Sequence, residues 1–371
     1  MPQLEAWQKV YLGGNGAQLF FDSDHGQLTC VTCHNGQPGI HTMEEAHTGM
    51  DADPSANGSC AHCHNDIAAK NSNSLHSSLG GYQALFLQRS GFAIHSDPTI
   101  EEHFNTDCNK CHTTCGECHI SRPRSVGGGL VQAHRFMPVP SMTDNCTACH
   151  GSRVGMEYKG ENTGIPGDLH YTEQGYSCTR CHNETELHGD GNQYSHRYEM
   201  PFMPRCGSCH SGEYNANDYH RQHWNELTCQ VCHSQDYKNC NDCHAGAGGV
   251  QRPSYMTFKI GRNPIPNLRG PEYAVLRHVP VAENTFAAWG IADLPSYSSV
   301  PTWKYSSPHN IKRWTARTDT TGGRNCLEAC HNSPNDTTGY FLRQADLDIL
   351  SPNEAAANAN LIVPDGPPTE W

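Results

Sequence analysis

The sequence predicts a fold of mostly irregular coil with short α-helices, a minor β element near residues 255–280, and an interior that side chains alone do not fill. Two observations lead there. Only 36% of the 371 residues are hydrophobic, and 35 glycines and 23 prolines interrupt long periodic runs, so regular elements should be few and short. Against that background, 20 cysteines recur in one pattern, a spaced pair followed at once by a histidine. A chain of this composition would stay disordered unless something bound at the repeats supplied apolar surface.

The pattern is densest at Cys108, Cys111, His112, Cys115, Cys118 and His119, where only Thr113 and Thr114 separate one copy of Cys-x-x-Cys-His from the next. This is the attachment signature of a c-type haem: two thiols add across the porphyrin vinyl groups, and the next histidine reaches the iron from the proximal side. It recurs at Cys30, Cys33, His34; Cys60, Cys63, His64; Cys146, Cys149, His150; Cys178, Cys181, His182; Cys206, Cys209, His210; Cys229, Cys232, His233; and Cys240, Cys243, His244. A tenth copy, Cys326, Cys330, His331, has three intervening residues instead of two. Structural zinc, a disulfide framework and a thioredoxin-like pair also use spaced cysteines, but none requires the following histidine. Ten haem c groups are therefore expected, with short helices wrapped around the haem chain. Each macrocycle has a larger apolar face than a tryptophan, so its burial contributes more than roughly 4 kcal/mol. The apo-chain is not expected to fold.

Taken in order, residues 2–12 read as a short amphipathic helix, and Ile67 to Phe92 as a helix interrupted at Gly80-Gly81. Gly127 to Gly129 is a loop and not a phosphate cradle, because no strand precedes it. Asp51 and Asp53 read as a solvated acidic turn, with calcium binding as the alternative. Residues 255–260 and 273–279 read as strands in a haem-free insertion, 251–324, which holds Trp289, Trp303 and Trp314 as packing residues. The tail beyond Leu350 reads as extended. Motif starts at 30, 60, 108, 115 and 146, and again at 178, 206, 229, 240 and 326, suggest two pentahaem modules, 1–160 and 161–371.

Besides the ten proximal histidines there are fifteen others, enough to give each haem a second axial imidazole, an arrangement of low-spin iron suited to electron transfer and closed to substrates. The candidates are His47, His76, His103, His134, His170, His188, His196, His220, His223, His278 and His309, with His25, His41 and His95 in reserve and His62, inside a motif, the weakest. Met137, Met142, Met200 and Met203 lie near motifs and would raise the potential as ligands; with histidine in surplus they read as packing residues.

A formal charge of −13, from 25 Lys+Arg against 38 Asp+Glu, disfavours nucleic acid and anionic membrane as partners. Arg122, Arg124 and Arg135 read as neutralising propionates. No run approaches a membrane span. Haem c is attached outside the cytoplasm, so the expected location is extracellular or at the cell surface, with the periplasm as the alternative. No charged and apolar leader precedes Pro2, and the numbering is expected to start after its removal.

With these motifs, the chain resembles multihaem c-type cytochromes of anaerobic respiration and extracellular electron transfer. The resemblance covers residues 30–331 and extends to Glu102-His103-Phe104-Asn105, Leu187-His188-Gly189-Asp190-Gly191, Pro301-Thr302-Trp303-Lys304 and Pro308-His309-Asn310-Ile311. His220-x-x-His223 before Cys229 is similar to tetrahaem cytochromes of the c3 type, which implies that these two histidines serve different haems. Some members of the group polymerise into filaments in which one subunit lends a histidine to the next, which implies a homopolymer with inter-subunit haem contact as one option here. The haem count resembles outer-membrane conduit cytochromes, from which the 251–324 segment departs. Two functions follow: an electron carrier serving redox proteins or extracellular acceptors, or a multihaem oxidoreductase acting on a small nitrogen or sulfur compound at one open haem. The irregular Cys326 site is the natural suspect for the second. No lysine replaces a motif histidine, as it often does at the open haem of such enzymes.

Overall fold

A computed structural model describes residues 15–109, 113–236, 258–279, 281–323, 330–331 and 339–363. Short helices and coil dominate it; Gly80–Ser90, at 11 residues, is the longest described helix. The stretch predicted as one interrupted helix is three: Asn65–Asn71, Leu75–Ser78 and Gly80–Ser90. Ser74 caps the second by accepting from the Ser77 amide, and Leu79, at φ 52, ends it one residue before the predicted glycine break. Gly127, Gly128 and Gly129 form the expected loop, all at positive φ. The helix expected over residues 2–12 lies outside the described residues.

One antiparallel sheet runs β1 (Lys259–Arg262), β2 (Tyr273–His278), β3 (Trp303–Tyr305) in that order. The first two strands were legible; residues 255–257 lie outside the described set. β3 was not, because three residues are too few to show alternation. The alternation of β2 sends Tyr273 and Val275 to one cluster, with Val231, Phe258, Ile260, Phe341 and Val363. It sends Ala274 and Leu276 to the other, with Trp303, Leu342, Leu347 and Leu361. Gly261 lets these layers close, since a Cβ there would lie 2.5 Å from Leu276 Cδ1 and 2.7 Å from the Leu361 carbonyl. Trp303 is buried as expected and Trp289 packs on Phe86 and Phe286, whereas Trp314 is 62% exposed, with Arg313 over its ring. The extended tail is corrected by a helix, Pro352–Asn358, because Ser351 at the N-cap and Pro352 at the first position make a strong helix start.

Backbone contacts divide the chain into two units that interleave in sequence and do not divide at residue 160. Among the described residues, the first comprises those up to Gly80, Asn105–Gly151 and Ser177–Tyr194; the second comprises Gly81–Phe104, Ser152–Tyr176 and those from Ser195 onward. The first carries Cys108 and the motifs beginning at Cys30, Cys60, Cys115, Cys146 and Cys178, yet its buried hydrophobic side chains are only Leu79 and Met137 among the described residues. The second carries the sheet, both clusters and the motifs beginning at Cys206 and Cys229, with Cys330 and His331. No described helix is long and apolar enough to cross a membrane.

Candidate metal centres

The described motifs lie on short helical turns or begin on them, and that at Cys146 ends a π-helix, Met142–Cys146, and runs on into Thr147–His150. Cys30–His34, Cys115–His119 and Cys229–His233 are α-helical, while Ser59–His62, Cys178–Arg180 and Cys206–Ser208 are 3-10 turns. On one turn, residues three and four apart share a face, so both thiols and the imidazole point to the same side. Thr114 and Glu117 cap the turn at Cys115 reciprocally, and buried Asn145 donates to the Glu117 and Ser121 carbonyls, tying the turn before Cys146 to that at Cys115.

Seven motif histidines each face a histidine from outside the motifs. The ring centres are 6.0 Å apart for His64 and His25, 6.0 Å for His34 and His134, 6.2 Å for His150 and His76, and 6.0 Å for His119 and His188. In the second unit they are 6.2 Å apart for His210 and His170, 6.1 Å for His233 and His220, and 6.1 Å for His331 and His223. Metal–imidazole bonds of about 2.0 Å on each side, with about 1 Å from nitrogen to ring centre, require a separation of about 6 Å. Direct stacking would bring the rings closer; a single atom between two nitrogens accounts for the spacing. His220 and His223, on the helix Asp218–His223 capped by Asn217, go to two different motifs.

The ring nitrogen left over is held in most pairs. Nδ1 donates to the carbonyl of Asp51 from His34 (2.7 Å), of Met137 from His119 (2.7 Å), of Glu213 from His220 (2.7 Å), of Tyr219 from His223 (2.8 Å) and of Lys312 from His233 (3.1 Å). His170 donates instead to Asp168 and His182 to Glu186, both at 2.8 Å. Fixing Nδ1–H leaves Nε2 as the lone-pair nitrogen. Burial lowers the pKa of His76 to about 4, with His150 beside it adding to the effect, and burial also lowers those of His25, His134, His188 and His233. In all five, burial favours the neutral ring, the form that binds a metal.

Six sequence candidates, His76, His134, His170, His188, His220 and His223, thus stand opposite motif histidines. The reserve His25 does so too. His47 and His196 meet no other imidazole among the described residues, and His103 stacks on Trp289 at 5.9 Å. His309 is held by its amide, which donates to Glu157, and lies edge-on to Tyr158. His278 donates from Nε2 to Glu354 at 2.9 Å in a fully buried pair, so that nitrogen is engaged by the chain. Lys110, Cys111, His112, Cys240, Cys243, His244 and Cys326 lie outside the described residues. Of the cations expected at propionates, Arg124 pairs with Asp53 and approaches Glu117, and Arg135 donates to Gln132. The Asp51 carboxylate is engaged by the Asp53 amide and Asn57.

None of the described cysteines is in a disulfide. Neighbouring motifs meet at their sulfurs: Cys60 with Cys115, Cys146 with Cys178, and Cys206 with Cys229 lie within hydrogen-bonding reach. Contacts thus link Cys60 to Cys115 and Cys146 to Cys178 in the first unit and Cys206 to Cys229 in the second, where Cys232 and Cys330 pack against the same hydrophobic cluster. Among the described residues, no group of three or more His, Cys, Asp or Glu side chains gathers to hold an ion alone, as structural zinc requires. Two thiols and an imidazole on one turn, with a second imidazole two metal bonds away, is a donor set that fits haem c.

No protein-family model matches the chain, and no curated protein matches it. Among solved structures, octaheme cytochrome c from Shewanella oneidensis is similar at 17% identity and a TM-score of 0.30, over 54% of this chain and 55% of that one. The chain thus spans just over half the length of that structure.

Proposed function

We propose that this chain is a multihaem cytochrome c that carries electrons along ten covalently attached haems, most or all with histidine on both sides, and that it works in extracellular electron transfer. One observation carries the reading: seven motif imidazoles each stand 6.0–6.2 Å from an imidazole outside the motifs. When bound, the haem iron supplies one-electron chemistry. The chain's own residues would tether it through paired cysteines, hold rings such as those of His34, His119, His170, His220, His223 and His233 through their Nδ1 partners, and offer it one imidazole from within the motif and one from outside it, closing it to substrates. Redox proteins or extracellular acceptors are the partners such a carrier serves, and the exposed His47 is available to a neighbouring subunit in a filament.

The test is a haem count per chain together with the spectrum of the oxidised protein. Ten haems with a low-spin spectrum are expected. A high-spin fraction near one haem in ten would replace the carrier with an oxidoreductase, and the absence of covalent haem would remove the reading altogether.

A further inference from the structure

We infer that Asp168 and Glu186 are positioning residues that make the sites at Cys206/Cys209 and Cys178/Cys181 lower in potential than those whose imidazoles donate to backbone carbonyls. This rests on the haem reading above. Five ligand rings with a described Nδ1 partner donate to neutral carbonyl oxygens. His170, opposite His210, donates to the Asp168 carboxylate, and the motif histidine His182 donates to the Glu186 carboxylate.

Neither carboxylate is placed to swing away. Asp168 is 2% exposed, and besides the ring it accepts from the His170 amide through Oδ1 and from the Ile311 amide through Oδ2. Glu186 lies one helical turn after His182, in a helix started by Asn183, and its Oε2 is buried without a hydrogen-bond partner. Both charges therefore sit in surroundings that screen them poorly. A charged acceptor draws the Nδ1 proton more strongly than a carbonyl does, which makes Nε2 the better electron donor and favours the oxidised, more positive iron. The affected equilibrium is a one-electron reduction at that iron: one electron arrives from a reduced redox partner, which is oxidised by one electron. No bond of the chain is made or broken and no proton is taken up.

The experiment is a spectroscopic redox titration of the haem-loaded protein with Glu186→Gln and Asp168→Asn. Glutamine keeps an acceptor oxygen within reach of His182 and removes only the charge, so a purely structural contact predicts no change in potential. The expected result is that one haem's share of the low-potential limb moves upward in each variant, by about tenfold in the reduced-to-oxidised ratio, or about 59 mV for one electron. Haem content and low-spin fraction stay at the wild-type level. Titrations that superimpose on the wild type, with haem content and spin state intact, overturn the inference. Because Asp168 also holds two backbone amides, its variant can fail to fold, and Glu186→Gln then decides alone. A wild-type protein without covalent haem, or without low-spin iron, is the separate failure of the haem reading.

Discussion

His25 shows how a ligand is placed by surroundings remote from it in sequence. Its ring lies flat on Phe136, 3.8 Å between centres and 5° apart, while facing His64 at 6.0 Å. Ser23 starts the turn Asp24–Gln27 that carries it, accepting from the Gly26 amide. The cysteines and motif histidines were legible as a pattern because the attachment proposed for them would fix their spacing locally. The opposite ligands obey no local rule: His25 stands just before Cys30 yet faces the motif at Cys60, and spacing does not reveal Phe136. The same blindness hid Asp168 and Glu186, whose importance lies in the atom they touch. Replacing His25 with alanine removes one axial nitrogen, so one site should become high-spin, seen by electron paramagnetic resonance of the oxidised protein, with the others unchanged. His47→Ala in a monomeric preparation should leave the spectrum as it was; the reverse outcome would exchange their roles.

Among the elements, the sheet and the helix Pro352–Asn358 follow ordinary globular rules. Glu354 Oε1 accepts from His278 Nε2 at 2.9 Å and from Thr302 Oγ1 at 2.8 Å, while Asn358 Oδ1 accepts from the Thr302 and Trp303 amides at 3.0 and 2.9 Å. These contacts join β2, the approach to β3 and the helix away from water. The strand β2 was readable, His278 included, but not the carboxylate that meets it from so far along the chain. Glu354→Ala leaves His278 and Thr302 without that acceptor, for a cost of about 2–4 kcal/mol, measurable as a lower midpoint in denaturant. The low-spin fraction should not change, because the pair supports the sheet. A loss of low-spin iron in this variant at a temperature where it stays folded would make His278 a ligand after all.

For the molecule as a whole, the distribution of buried side chains decides what the bound groups are for. The two hydrophobic clusters among the described residues lie in the second unit, whereas the first has only Leu79 and Met137 as buried hydrophobics among its described residues. A unit so poor in apolar contacts does not offset a backbone ordering cost of about 1 kcal/mol or more per residue. On the haem reading proposed above, the missing term is burial of the macrocycle faces, more than roughly 4 kcal/mol each, together with the tethers that would restrict the unfolded chain. The two units should therefore respond differently to loss of the cofactor. In chain produced without haem attachment, brief proteolysis mapped by mass spectrometry should cut throughout residues 18–79 and 113–151 at the earliest times. Peptides from 258–279 and 339–363, which supply β1, β2 and the two clusters, should persist longer. Equal resistance in both regions would mean that side chains suffice to fold the first unit, and the claim that its core is made of prosthetic groups would fall.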